Sequence, residues 1–292
     1  MRLNVQQANN PAAVRSEHAV NPKGNAMAIQ LVCTPRALPA HLQVAAAERA
    51  VALNPANHPG AALLSRALGL NPGKERIAVM IGKRWPSGGV KLKVGFLDSP
   101  APALRARILS HMNAWAKTAN VQFTESKSSP HVRIARASNP PDMSGYWSYL
   151  GTDILSIPAG EPTMNLEAFS MDTPESEFIR VVRHETGHTL GFPHEHMRLE
   201  LVQKIDTAKA IAFFGRTQGW TPDEVRAQVL TPIEQASILS NKADAKSIMC
   251  YQIPGSITKD GKPIVGGKNI DKSDYAFAAA VYPKAVSKSA VA

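Results

Sequence analysis

Five positions in the run His184-Glu185-Thr186-Gly187-His188-Thr189-Leu190-Gly191-Phe192-Pro193-His194-Glu195 have the residue types and spacing of a catalytic metal site. Residues four apart stack on one face of a helix, so His184 and His188 can turn their imidazoles toward one cation. Glu185 leans toward the same face, within reach of a water bound there. Gly191 suits the positive φ that ends a helix and swings the chain back, bringing His194 round as a third ligand. Three protein ligands leave the fourth tetrahedral position open for water, the mark of a catalytic Zn²⁺ ion rather than a closed structural one. Glu185 is then the general base, since zinc lowers the pKa of its water toward about 7 and a nearby carboxylate takes the proton.

The plainer alternative is a histidine-rich helix end without metal. A bare HExxH recurs by chance in many helices. The longer HExxHxxGxxH fixes five positions, three of them the scarce histidine. Its chance occurrence in a chain of this length is on the order of 10⁻⁵. His196 reads as a surface residue or one lying behind the ligands, and His18, His41, His58, His111 and His131 have no ligand spacing.

With these residues in view, the chain resembles the metzincin zinc endopeptidases. The continuation His194-Glu195-His196-Met197-Arg198 is similar to the astacin branch. So is the distant Ser247-Ile248-Met249-Cys250-Tyr251, which matches the S-x-M-x-Y form of the methionine turn. The resemblance implies that Met249 lies as a hydrophobic floor beneath the ligands. It also implies that Tyr251 is an additional, switchable metal ligand whose phenol stabilises the oxyanion of the tetrahedral intermediate. Read without the family, Met249 is core filler and Tyr251 a half-buried aromatic. Leu199-Glu200-Leu201 stands where animal astacins have a different sequence, which suggests a divergent, bacterial branch.

The elements that would position these residues can be read from periodicity and capping. Thr173-Pro174-Glu175 is a helix start, with a capping hydroxyl, a proline in the first turn and an acid at the positive end of the dipole. Phe178, Ile179, Val181, Val182 and Leu190 then bury the helix that carries the motif. Residues 102–119, with Leu104, Ile108, Leu109, Met112 and Trp115 in helical spacing, form the other long helix. Strands are expected at Ile77–Ile81, Val90–Phe96, Val121–Thr124, Val132–Ile134, Tyr146–Tyr149 and Met164–Leu166, the last as the edge that pairs with an extended substrate. Residues 40–53 and 60–70 suit short helices, 201–240 look helical with a start at Thr221-Pro222-Asp223-Glu224, 253–270 form a loop, and Asp271–Tyr282 close the domain as a helix.

Of 292 residues, 33 are Lys or Arg and 23 Asp or Glu, a net charge of +10. Residues 1–93 hold 12 basic and 3 acidic side chains, whereas the remainder holds 21 and 20, so the excess belongs to the N-terminal part. That distribution does not lead to a nucleic-acid partner. No apolar run reaches the length of a membrane span. Met1 to Val20 has no apolar core of a signal peptide. Export by a route without a cleaved signal is the expectation, with a cytoplasmic location the alternative. Cys33 and Cys250 are too few for a disulfide framework. Two free thiols is the reading adopted, with a Cys33–zinc latch and a Cys33–Cys250 disulfide as the other possibilities.

The expected organisation is an N-terminal leader or pro-like segment over 1–75, largely disordered through residue 37, a zinc metallopeptidase domain over 76–284 and a tail over 285–292. The resemblance implies an α+β, zincin-like fold: a twisted, mostly parallel sheet with two long helices and a smaller, irregular C-terminal subdomain ending in a helix. The expected function is a monomeric zinc metalloendopeptidase acting on protein or peptide substrates. The alternatives are a proteolytically silent or latent binding protein on the same scaffold, and an enzyme inactive until residues 1–75 are removed.

Overall fold

The structure is a computed structural model that describes residue 33 and residues 36–58, 82–140, 143–233 and 243–285. The expected strand at Ile77–Ile81 and helix over 60–70 lie outside the described residues, as do most of 1–37. Five strands form one sheet in the order β2-β1-β3-β5-β4, with β1 Val90–Phe96, β2 Val121–Glu125, β3 Val132–Ala135, β4 Tyr146–Ser148 and β5 Met164–Leu166. β1 pairs in parallel with β2 and β3, β3 pairs in parallel with β5, and β4 runs antiparallel to β5. Every residue of β3 and β5 is buried, including Arg133 and Asn165, whose side chains are hydrogen-bonded. Met164–Leu166 is therefore not the edge strand expected from the sequence. It is flanked by β3 and β4, and among the described strands β4 holds that edge.

Two helices lie on this sheet. α2 (Pro102–Met112) starts with proline in its first turn and buries Leu104, Ile108 and Met112, as the spacing predicts. A 3₁₀ turn, Asn113–Lys117, extends it and seats Trp115, whose indole N–H donates to Arg183 O at 2.9 Å. α3 combines a first turn at Glu175–Glu177, a π-helical stretch Phe178–Val182 and the α-helix Arg183–Thr189. The wider π turn lies immediately before the first histidine, the kind of place where such bulges mark function. Thr173 does not cap α3. Its hydroxyl accepts from Ser170 N at 2.9 Å, and Pro174 occupies the cap position.

The helical stretch expected over 201–240 is broken into pieces: α4 (Leu199–Val202), α5 (Thr207–Gln218), and α6, an α-turn Pro222–Val225 continuing as the π-helical Arg226–Leu230. Gly219, at φ 71°, ends α5, and Thr221 opens α6 with a complete capping box to Glu224. Phe214, Val225 and Val229 join Ile205, Ile253 and Ile257 in a second core apart from the sheet. α7 (Lys272–Val281) opens with a capping box between Asp271 and Asp274 and returns to the first core through Ala278, Val281 and Tyr282. At the other end of the described chain, α1 (Ala40–Leu53) buries Ala46, Ala47 and Ala50. Among the described residues no helix is long and apolar enough to cross a membrane.

Candidate metal centre

α3 presents His184 and His188 from one face, and both are buried. Leu190 ends the helix, Gly191 takes φ 88°, and Phe192 N returns to Gly187 O at 3.0 Å. A side chain on Gly191 would meet Lys83 O at 2.9 Å and Arg84 Cα at 3.1 Å, so both the turn and its surroundings require glycine. The reversed chain brings His194 Nε2 to 3.0 Å from His184 Nε2 and 3.0 Å from His188 Nε2. The three predicted ligands thus converge on one point.

The far side of each ring decides which nitrogen faces that point. His184 Nδ1 lies 2.6 Å from Ile248 O and His188 Nδ1 lies 2.8 Å from Phe192 O. A carbonyl accepts only, so both Nδ1 atoms carry the proton and both Nε2 atoms are bare lone pairs. His194 Nδ1 is buried without a partner. Burial holds all three rings neutral, driving His184 and His194 well below the usual histidine range and His188 down to about 4. A cation held among His184 Nε2, His188 Nε2 and His194 Nε2 would satisfy these buried lone pairs together. Neutral imidazoles are the form that zinc binds, and the backbone carbonyls behind them orient the rings. The donor set fits zinc.

Glu185 is 1% exposed, and burial pushes its carboxyl up to about 8 against the smaller opposing pull of the Cys33 thiol and Arg180. Cys33 Sγ lies 3.4 Å from Glu185 Oε2. That sulfur and the three ligand nitrogens all fall within 4.8 Å of one another. The cysteines are unbridged and buried. The Cys33–Cys250 disulfide, one of the alternatives left open by the sequence, is not formed, and Cys33 lies beside the three histidines.

Tyr251 is buried rather than half-exposed, and its hydroxyl has no partner. Its ring centroid lies 4.3 Å from that of His194 and 3.9 Å from that of His196, the latter stacked nearly parallel at 16°. Burial pushes the phenol well above its ordinary range, with Cys33 and Glu185 adding to the effect. His196 is wholly buried, not on the surface. Its Nε2 lies 2.9 Å from Gln228 O, and it forms the wall on which Tyr251 stacks.

The methionine turn is held by Asp274, a residue the sequence does not single out. Ser247 Oγ donates to Asp274 Oδ1 at 2.6 Å, Ile248 N donates to Asp274 Oδ2 at 2.9 Å, and Met249 N donates to Ser247 Oγ at 3.0 Å. Asp274 thereby serves both the cap of α7 and the turn beneath the metal. The D-x-x-D spacing of Asp271 and Asp274 could signal the capping box, but not the second role. Glu195 N donates to Met249 O at 2.8 Å, tying the third ligand's loop to the same turn. Met249 lies against Gly187 and Trp115. At the end of α3, Tyr282 Oη donates to Leu190 O at 2.5 Å and accepts from Trp85 N at 3.1 Å, while Trp85 Nε1 donates to Thr189 O at 2.8 Å.

The sequence pattern of the family described as Astacin (Peptidase family M12A) matches residues 78–269. Zinc metalloproteinase nas-27 of Caenorhabditis elegans is 33% identical over 95 residues, which are 32% of this chain and 19% of that protein's own length. A solved structure of myroilysin superposes with a TM-score of 0.64 at 30% identity, covering 70% of this chain and 97% of that one. A second, crystallographic structure of myroilysin gives a TM-score of 0.52 at 31% identity over 69% of this chain and 86% of that one.

Proposed function

The chain belongs to the astacin family of zinc metallopeptidases, peptidase family M12A, and from that premise we propose that it hydrolyses internal peptide bonds of protein or peptide substrates with Glu185 as general base and Tyr251 as oxyanion donor. The observation that carries the reading is the meeting of three buried imidazole nitrogens, His194 Nε2 lying 3.0 Å from each of the other two, with a buried carboxylate and an unpartnered buried phenol. His184, His188 and His194 would hold one zinc ion. When bound, it lowers the pKa of water and polarises the scissile carbonyl.

Glu185 accepts the proton of the attacking water and hands it to the leaving amine nitrogen. In a site this dry its carboxyl is protonated near neutral pH, and a neighbouring cation favours the ionised, basic form. Tyr251 stays protonated because burial opposes the phenolate, so its O–H is available to the negative oxygen that develops as the carbonyl is attacked. The phenol would also be the switchable further ligand of the metal. His196 stacks behind its ring and limits where the hydroxyl swings.

Replacing the base tests the mechanism. Glu185→Ala should lower cleavage of unfolded casein by about 10²–10⁴-fold with zinc content unchanged. Undiminished cleavage by that variant with its metal retained would refute the assignment.

A further inference from the structure

Resting on the zinc-peptidase reading, we propose that the ring face of Trp147, beside Tyr149 on the β4 edge, is a substrate subsite that selects an arginine or lysine side chain. The chain's own Arg36 shows how it is filled. The guanidinium carbon of Arg36 lies 4.3 Å from the centroid of the Trp147 ring. At that distance the negative face of an aromatic ring attracts a cation, and tryptophan does so more strongly than the other rings.

The ring is held from behind. Trp147 Nε1 donates to Met143 O at 3.1 Å, which fixes the plane of the indole. Tyr149 meets that ring edge-on, with centroids 6.0 Å apart at 82°, and Tyr149 N donates to Thr163 O at 3.1 Å. Residues two apart on a strand share a face, so both rings line one side of the edge. A carboxylate completes the site. Burial raises the Tyr149 phenol, Arg36 pulls it down and exposed Glu161 pushes it up, so both charges act on the one ring. An aromatic face with a carboxylate nearby favours a cationic side chain over an apolar or acidic one.

The backbone gives the position of the subsite along the cleft. β4 is an edge strand of the sheet, and Cys33 and Arg36 meet its free edge in bridges to Tyr146 and Tyr149. Cys33 lies beside the three histidines, so the Trp147 face is reached three residues further on, about 10 Å of extended chain. A peptide that adds to this edge meets the same face at the same remove from the metal centre. Antiparallel pairing is the more stable arrangement, and it puts the selected side chain about three residues N-terminal to the scissile bond.

Full-length Arg36→Asp opens the subsite, because Glu161 and the ring face both repel the new carboxylate. The probes are two blocked alanine decapeptides, one with arginine and one with norleucine as the fourth residue. In Arg36→Asp/Glu185→Ala, which binds without cleaving, calorimetry should give the arginine peptide a Kd about 3–30-fold lower than its counterpart. Adding Trp147→Leu should bring that ratio to about one, and Glu161→Gln, at an exposed position, should reduce it in part. In Arg36→Asp with Glu185 intact, the arginine peptide should be cut about three residues after its arginine. Equal affinities, binding of neither peptide, a preference that survives Trp147→Leu, or a cut before the arginine would each overturn the subsite; the first two do not depend on the tryptophan variant folding. Arginine-selective binding without any cut would uphold the subsite and count against the peptidase reading instead.

Discussion

The sulfur of Met249 occupies the space that a side chain on Gly187 would need, with Trp115 closing the same gap 3.2 Å from that point. The middle of the zinc motif is thus shaped for the methionine turn, 62 residues further along the chain. A methyl group at 187 must displace Met249 or the helix.

Gly187→Ala should consequently destabilise the protein by about 1–3 kcal/mol through overpacking, despite the better helix propensity of alanine. Thermal unfolding would measure it. Shortening the partner, as Met249→Ala, should recover part of the loss in the double variant, a coupling that a purely local effect at 187 would not show.

Asp274→Ala leaves Ser247 Oγ and Ile248 N without their acceptor and removes one half of the α7 capping box. Two buried donors and a cap together should cost about 2–5 kcal/mol. Asp274→Asn, which keeps one acceptor oxygen, should lie between that variant and wild type in urea unfolding. Zinc affinity should fall in the same order, since Ile248 O also orients His184.

Tyr251→Phe removes only the unpartnered hydroxyl, so the fold loses no hydrogen bond with it. Its kcat should fall by about 10–10³-fold with KM little changed, because the donor acts on charge present only in the transition state. A change confined to KM would count against the oxyanion role.

His196 supplies a pH dependence whose sign can be worked out. Burial lowers its folded-state pKa from 6.5 to about 3, so between those values the unfolded chain binds the additional proton. Its contribution is fully present above pH 6.5 and is lost as pH falls toward 3, on the order of 5 kcal/mol at the limit. His196→Gln should flatten the fall in unfolding free energy across that window, even though it weakens the contact behind Tyr251.

The three histidines of the metal centre are legible in the local sequence. Periodicity four in His184 and His188, a glycine at 191 and a third histidine at 194 are local relations, and a helix followed by a positive-φ turn realises them without reference to the rest of the chain. The strands β1, β2 and β3 and the capped helix α7 were legible for the same reason: each is set by alternation or by a cap within a few residues. Tertiary structure decided what depends on distant partners. Strand order is not encoded in runs of three or four residues, so the edge lies at β4 rather than at the expected β5. The burial of His196 behind Tyr251, the two roles of Asp274, and the arrival of Cys33 at Glu185 join residues from 26 to 152 positions apart. No local pattern carries such distances; they are set only when helices and sheet bury their apolar faces together.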